Sequence, residues 1–500
     1  MVSMTPNNSP IVGHLIAVVA GLVTPLAFAP FGLFPLGVLA PALLFVCWID
    51  VTPARAMLRG FLFGLGMFGF GVSWVYVSLH NFGNMPPVLA SVAVAGFTVL
   101  LAGIPALAGL LQGLLCRDQV VVQSVLVIPA VWVLMEWVRS WLLTGFPWMS
   151  LGYSQVGYPL GAAAPWIGVY GVGLAVAVSA GAVALLLRSP RRYGAPCALI
   201  LIGLWALFGS AGRVDWVEPE GKELSVALIQ GNVPLEDKWD QARRPEILSR
   251  YVEMSAPYVD ADLIVWPESA APYYVDELSE GFWDTLNRHP ADYILGVLER
   301  VSIDSNLVYY NSVVATTDRE RFYRKHHLVP FGEYLPWKPL FGWIIAYLDI
   351  PMADFSPWDN EQTRLMAAGQ PIGITICYED AFTDEVLRSL PDATMLVNVS
   401  EDGWFGDSLA PHQRLQIARM RALETGRPML RAANTGISAV IDHRGQVVVA
   451  SAQFETMVLE GDVRPMVGTT PFARFGNVPV LVISICLVVI GWMRGRAQSS

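Results

Sequence analysis

The chain has 500 residues, 54% of them hydrophobic and only 15% charged. An ordinary soluble domain is about one-quarter charged, so a wholly soluble protein is excluded. A net charge of -10 with only four lysines, Lys222, Lys238, Lys325 and Lys338, excludes nucleic acid as a partner, because phosphate binding needs clustered cations.

Charge is also unevenly placed. Asp50 is the single charged residue before Arg55, whereas charges are frequent between Val214 and Pro465. The chain therefore reads as a membrane part and a polar body. Crossing a bilayer takes about 20 apolar residues. Such runs lie near 12–30, 34–49, 57–79, 87–114, 120–142, 160–187 and 195–212, with an eighth near 475–493. "LAFA" at 26–29 resembles a signal-peptide cleavage site. A charged leader is missing and more spans follow, so the first run is expected to remain as a membrane helix.

Arginines then give the orientation. Arg55 and Arg59 fall between spans two and three, Arg117 between four and five, Arg188, Arg191 and Arg192 between six and seven, and Arg494 and Arg496 after span eight. The connections 30–33, 80–86 and 143–159 carry no Lys or Arg. The positive-inside rule puts the arginine-bearing side in the cytoplasm and the polar body outside it, in the periplasm of a Gram-negative bacterium. The expected organisation is a seven-helix membrane domain (1–213), an extracytoplasmic domain (214–470) and a last helix with a short cytoplasmic tail (471–500).

Two charges sit deep in a span. Glu136 and Arg139, three apart, share a helix face and are able to pair. They serve either as a pair near the membrane surface or as a headgroup-facing site, since ionisable residues in a span are functional candidates. The run "GFPWMSLGYSQVGYPLG" (145–161), with Trp148, fits that site or an aromatic belt equally well.

In the polar body, strand-like runs recur at 223–232, 261–269, 291–300, 311–316, 371–380, 393–400, 428–435 and 437–449. Helical patterns at 241–255, 279–288, 383–389 and 411–425 lie between several of them. This alternation predicts a layered α/β fold, and "DHRG" (442–445) predicts a hairpin turn. The run "LIVWPE" ends in Glu268, and "IGITIC" ends in Cys377, followed by Tyr378, Glu379 and Asp380. Between them lies "YRKHHLVPFGEYLP" (323–336), with Lys325 and Glu333. Reactive groups in α/β sheets gather at the carboxyl ends of strands. A carboxylate there takes the proton of a thiol, and an ammonium favours the thiolate and an oxyanion. An inert buried thiol, structural ion pairing, or a dyad of Cys377 with His326 or His327 are the rival readings. Of five cysteines only Cys377 lies in the polar body, so a disulfide framework is not expected.

"WPES" (266–269), "KHHLVPFGEYLP" (325–336) and "CYED" (377–380) resemble the nitrilase superfamily, with its Glu-Lys-Cys triad on an α-β-β-α sandwich. With the flanking spans and "WFGDSLAPHQRLQIARMRALETGRP" (404–428), the whole chain is similar to the apolipoprotein N-acyltransferase family, the membrane branch of that superfamily. The resemblance implies Glu268 as general base, Lys325 as oxyanion lysine and Cys377 as the acyl-accepting nucleophile. It implies Glu333 as a supporting carboxylate, Tyr378 and Glu379 as walls of the nucleophile's pocket, and Trp239 on a mobile loop over the site. Trp404 and Phe405 are expected to wall an acyl pocket, with "RLQIARMRALETG" as a sheet-covering helix. One departure is visible: Glu401 stands where the family usually has Asn.

The implied reaction moves an acyl chain from a phospholipid, typically phosphatidylethanolamine, through a cysteine thioester to the α-amino group of a diacylglyceryl-apolipoprotein. Membrane lipids are the implied surroundings, a monomer is expected, and neither cofactor nor metal is. A membrane-tethered amidase or nitrilase using water, a transporter or scaffold, and an O-acyltransferase are the competing readings.

Overall fold

The computed structural model describes residues 9–116, 119–303, 305–336, 355–360 and 364–496. Arg117, one of the orienting arginines, lies outside them. The chain divides into two compact units. One comprises 1–76, 88–215 and 475–500, and the other 77–87 and 216–474.

The first unit is helical. Among the described residues, six helices are long and apolar enough to cross a membrane, Pro10–Ala27, Pro87–Leu115, Val120–Arg139, Pro159–Arg188, Pro190–Ala211 and Val478–Arg496, which makes this a multi-pass membrane protein. The expected eight is an approximation, for two reasons. Leu36–Trp48 has only 13 residues, a rise of roughly 20 Å against a hydrocarbon core of about 30 Å. The run expected at 57–79 breaks after Pro53–Gly71 and resumes as Val75–Phe82 at an angle of 58°, so it counts as a seventh span only if the bent pair is taken together. Gly69 and Gly71 at the break are poor helix formers.

Within this unit the Pro159–Arg188 span is 78% buried and Pro190–Ala211 only 6%. Small residues let the former sit at the centre: a Cβ on Gly181 would collide with the backbone of Ser124. Glu136 and Arg139 turn to different partners. Glu136 Oε1 accepts from Trp132 Nε1 and from the backbone N–H of Leu151, both at 2.9 Å. Arg139 donates to the carbonyls of Phe146 (2.9 Å) and Trp148 and to Ser150 Oγ (3.2 Å).

Among the described residues, the second unit holds two six-stranded sheets. In the first, β2 (Leu224–Gln230), β3 (Leu263–Val265) and β4 (Asp292–Ile303) run parallel. Strands β5 (Asn306–Ala315) and β6 (Asp318–Arg324) follow as antiparallel hairpins. In the second, β8 (Gln370–Ile376), β9 (Met395–Ser400) and β10 (Met429–Ala433) run parallel. They are flanked by antiparallel β7 (Leu365–Ala367) on one side and β11 (Ala439–Ile441) and β12 (Val447–Ala450) on the other. Strand β13 (Met457–Val463) returns to the edge of the first sheet beside β2, and short β1 (Val217–Pro219) pairs with β14 (Met466–Gly468). The "DHRG" turn forms where expected, with Gly445 N–H on Asp442 O at 3.0 Å.

Each sheet buries one face under helices. Tyr251 and Trp283, from the helices Arg244–Ser255 and Glu280–Asn287, pack on Ile229, Trp266 and Leu295 of the first sheet's side. Val386, Ala418 and Ala422, from Thr383–Leu387 and Leu409–Thr425, pack on Leu396, Met429 and Ile441 of the second. The other faces meet: a Cβ on Gly461 of β13 would press on Val440 and Val449 of β11 and β12. The polar body is thus a nitrilase-like α/β layer fold.

Candidate active site

Strand ends deliver the three candidate groups. β3 continues through Trp266-Pro267 to Glu268, β6 ends one residue before Lys325, and β8 ends one residue before Cys377. All three side chains are buried: Glu268 is 5% exposed, Lys325 1% and Cys377 6%. Lys325 Nζ lies 2.8 Å from Glu333 Oε1 and 3.5 Å from Glu268 Oε1. Asn311, on β5, bridges the same two carboxylates, donating to Glu268 Oε1 at 2.7 Å and Glu333 Oε1 at 3.1 Å. Its carbonyl takes the backbone N–H of Lys325 at 2.8 Å. The second oxygen of Glu268 accepts the backbone N–H of Glu401 at 2.8 Å, and that of Glu333 accepts Val329 N–H at 2.8 Å. Every carboxylate oxygen of this cluster therefore has a donor.

Strand β4 approaches Glu268 so closely that only glycine fits: a Cβ at Gly296 would stand 2.7 Å from Glu268 Cα. Cys377 itself has φ +53, in the left-handed region that a non-glycine side chain seldom adopts. Two contacts hold it there. Asn398 Nδ2 donates to the Cys377 carbonyl at 2.9 Å. Glu379 Oε2 takes the Ile376 N–H at 2.7 Å and the Tyr323 hydroxyl at 3.0 Å, while its Oε1 takes the N–H groups of His326 (2.7 Å) and His327 (3.0 Å). Glu379 thus ties the turn at Cys377 to the chain that follows Lys325.

The electrostatics assign resting protonation states. Burial, and then Glu268, push the Cys377 thiol up to about 12, while Arg414 and Lys325 pull it down. Burial opposes ionisation of Glu268, but Lys325, Lys238 and the Asn311 hydrogen bond outweigh it and hold the carboxyl below the usual range. Burial would strip the proton from Lys325, yet Glu333 and Glu268 keep it on and raise its pKa. Burial pushes Glu379 up to about 7. The arrangement is a protonated thiol beside an ionised carboxylate and a fixed ammonium.

The other expected residues are placed as follows. Tyr378 hydroxyl donates to Leu328 O at 2.7 Å, and Lys325 Nζ lies 5.8 Å from its ring. Trp239 packs with Leu298, Leu328, Phe355 and Tyr334. Trp404 and Phe405 lie in a short turn, Asp402–Phe405, and are half-buried. That turn adjoins the 77–87 segment: a Cβ at Gly406 would meet Val77 at 3.2 Å and Phe82 at 3.6 Å. Arg139 and Trp148 belong to the membrane unit, where the arginine's donors hold the Phe146–Ser150 loop. His326 and His327 turn to Glu385, at 3.0 and 3.9 Å.

Sequence reasoning missed Asn311, Lys238 and Arg414. Lys238 donates to the Glu268 carbonyl at 2.8 Å and to Glu401 Oε2 at 2.5 Å. Glu401, noted only as a departure, so becomes the partner of a buried lysine, and also accepts Asn434 Nδ2 at 2.9 Å. A signal was present: Arg414, Arg421 and Thr425 recur at i, i+7 and i+11, one face of a helix, and that face is buried.

An acid–base pair, a cation and a thiol on two abutting sheets define the carbon-nitrogen hydrolase class of α/β proteins, and the carbon-nitrogen hydrolase family matches residues 225–472. The apolipoprotein N-acyltransferase N-terminal domain matches residues 20–182. An apolipoprotein N-acyltransferase of Methylococcus capsulatus is 42% identical over 494 residues, covering 97% of each chain. Another, from Nitrosomonas europaea, is 43% identical over 491 residues, covering 96% of this chain and 97% of its own. A solved carbon-nitrogen hydrolase from Helicobacter pylori G27 aligns with 48% of this chain and 89% of its own, at 15% identity and a TM-score of 0.37. The chain belongs to the apolipoprotein N-acyltransferase family. It is accordingly an acyltransferase.

Proposed function

We propose that the protein transfers an acyl chain from a phospholipid, with phosphatidylethanolamine as the favoured donor, through a thioester on Cys377 to the α-amino group of a diacylglyceryl-cysteine at an apolipoprotein's N-terminus. The observation that carries this is the buried Glu268–Lys325 pair, 3.5 Å apart, whose charges both act on the Cys377 thiol.

At rest the proton sits on sulfur, because the thiol is pushed up and the base is held down. Proton transfer to Glu268 is therefore coupled to attack on the ester carbonyl, where the Lys325 ammonium meets the developing oxyanion. The ester C–O bond breaks, Glu268 returns the proton to the departing alkoxide, and a lysophospholipid leaves. The lipoprotein's amine then attacks the thioester, with Glu268 again as base, in ping-pong fashion. Glu333 and Asn311 hold the lysine and the base in register. Tyr378 and Glu379 fix the nucleophile's turn, and Trp239, Trp404 and Phe405 form apolar walls for substrate. Arg139 and Trp148 act as a staple inside the membrane part.

The distribution of arginines supports residues 214–470 as the extracytoplasmic catalytic domain, between a membrane domain at 1–213 and a last helix and tail at 471–500. In this reading the protein lies in the bacterial inner membrane, the catalytic domain faces the periplasm, and it works as a monomer.

The test is the intact mass of the purified protein after incubation with phosphatidylethanolamine, beside Cys377→Ser. A hydroxylamine-labile gain of one acyl chain, absent from Cys377→Ser and discharged by a diacylglyceryl-cysteine peptide, is expected. A folded protein that forms no adduct and leaves the lipid intact overturns the phospholipid donor and favours a tethered hydrolase with the same triad. Trp404→Ala should slow both half-reactions; wild-type rates would remove it from the acyl pocket.

A further inference from the structure

Cys377 has a second cation, and the mechanism above does not use it. Arg414 is fully buried at 0% exposure, in the second turn of Leu409–Thr425. Its Nη1 lies 3.5 Å from Cys377 Sγ, 2.6 Å from Ser400 Oγ and 2.5 Å from Asp402 Oδ1. Its Nη2 lies 3.6 Å from Asp380 Oδ1. Arg431 shares both carboxylates, at 2.7 Å from Asp402 Oδ2 and 3.4 Å from Asp380 Oδ2, and donates to Asn398 Oδ1 at 2.6 Å. The two arginines neutralise the same two aspartates, but the hydrogen bond to sulfur comes from Arg414.

We propose that Arg414 is a catalytic residue that holds the sulfur anion of Cys377, above all when the thiolate is expelled from the thioester in the second half-reaction. The proposal rests on the thioester reading. Lys325 is committed to the carboxylates of Glu268 and Glu333 and, in that reading, to the carbonyl oxygen. The electron pair released as the C–S bond breaks falls on sulfur, where the N–H of Arg414 already points. The amine's proton passes to Glu268 as the C–N bond forms, and from Glu268 to sulfur, which restores the resting thiol. The charged groups acting on the sulfur are Glu268 and Lys325 from the first sheet and Arg414 and Asp402 from the second, with Asp380 and Arg431 behind them. Of these, only the two cations that reach the thiol lower the cost of its anion. A guanidinium is suited to this, since it stays charged when buried and donates from a fixed plane.

The rival role is structural: Arg414 neutralises Asp380 and Asp402 and does nothing to sulfur. Arg431 separates the two. The full-length protein is alkylated with iodoacetamide between about pH 7 and 10, and modification is followed on the Cys377 peptide by mass spectrometry. This readout needs no acyl donor. Arg414→Gln should slow alkylation about tenfold, the loss of thiolate that one pKa unit represents. Arg414→Lys should recover part of that loss, and Arg431→Lys should stay within about twofold of wild type. Discharge of preformed acyl-enzyme by the diacylglyceryl-cysteine peptide should slow in the same order. Equal effects at Arg414 and Arg431, or unchanged alkylation in a folded Arg414→Gln, would overturn the proposal. If the glutamine variant does not fold, Arg414→Lys decides: slower alkylation than in Arg431→Lys supports the sulfur contact, and equal rates overturn it. Slower alkylation in a protein that never acquires an acyl chain would leave Arg414 on sulfur and fail the thioester reading alone.

Discussion

The first sheet brings to Cys377 two carboxylates, Glu268 and Glu333, for one ammonium, Lys325, whereas the second brings two guanidiniums, Arg414 and Arg431, against two carboxylates, Asp380 and Asp402. Counted with the buried Lys238–Glu401 pair beside it, the first cluster still carries one more carboxylate than ammonium. The second is electrically closed. Although burial opposes its ionisation, Asp402 is held below the usual carboxylate range by Arg431 and Arg414. In the proposed mechanism the contrast becomes a division of labour around one sulfur atom: the proton moves on the Glu268 side, and the field stays fixed on the Arg414 side.

The sharpest break is Glu268→Gln, which keeps the side chain's size but removes the proton acceptor, and leaves one oxygen to accept from either Asn311 or Glu401 rather than from both. Acyl-enzyme formation, followed by intact mass over time, should fall by about 10²–10⁴. Lys325→Met should cost about 10²–10³ and should also move the acid limb of the pH–rate profile. Glu268 has a depressed pKa, so its ionisation stabilises the fold above the ordinary glutamate pKa, and this contribution is lost as pH falls through the depressed value. Without Lys325 the carboxylate gains its proton at a higher pH, so the acid limb should shift upward. A limb that stays put would show that Lys325 does not hold the base ionised. Gly296→Ala sharpens the comparison by pushing on the Pro267–Ser269 backbone that carries Glu268. A misplacement near 1 Å is worth about 10²-fold in rate, while alkylation of Cys377 should keep a near wild-type rate. On the other side, Asp402→Asn should leave acylation within about tenfold but lower stability by about 3–5 kcal/mol, because it strands two buried guanidiniums. Chemical denaturation reads that difference, and a large rate loss with unchanged stability would erase the division of labour.

Much of this was legible in the chain. The eight apolar runs, the alternation of strands and helices, the "DHRG" turn and the strand-end motifs bearing Glu268, Lys325 and Cys377 all rest on local periodicity or adjacency. What was not legible depends on long-range pairing. Asn311 sits in an ordinary strand, and only the register of β5 beside β4 and β6 turns it toward both carboxylates. Lys238 and Glu401 are 163 residues apart. Arg414 looked like one more cation on a charged helix, because burial of that face depends on the sheet beneath it. The run at 57–79 was long enough to span, but hydropathy carries no information about a bend after Gly71.

Strand β13 has a consequence for how the protein is made. It is the edge of the sheet that carries Glu268 and Lys325, yet it is synthesised after the whole sheet that carries Cys377. The first sheet is therefore incomplete until the second has already emerged, and the thiol meets its base only across the seam where the two lie together. Neither half of the polar body holds a working site by itself. A chain truncated before β13 carries Cys377 without a finished first sheet beside it.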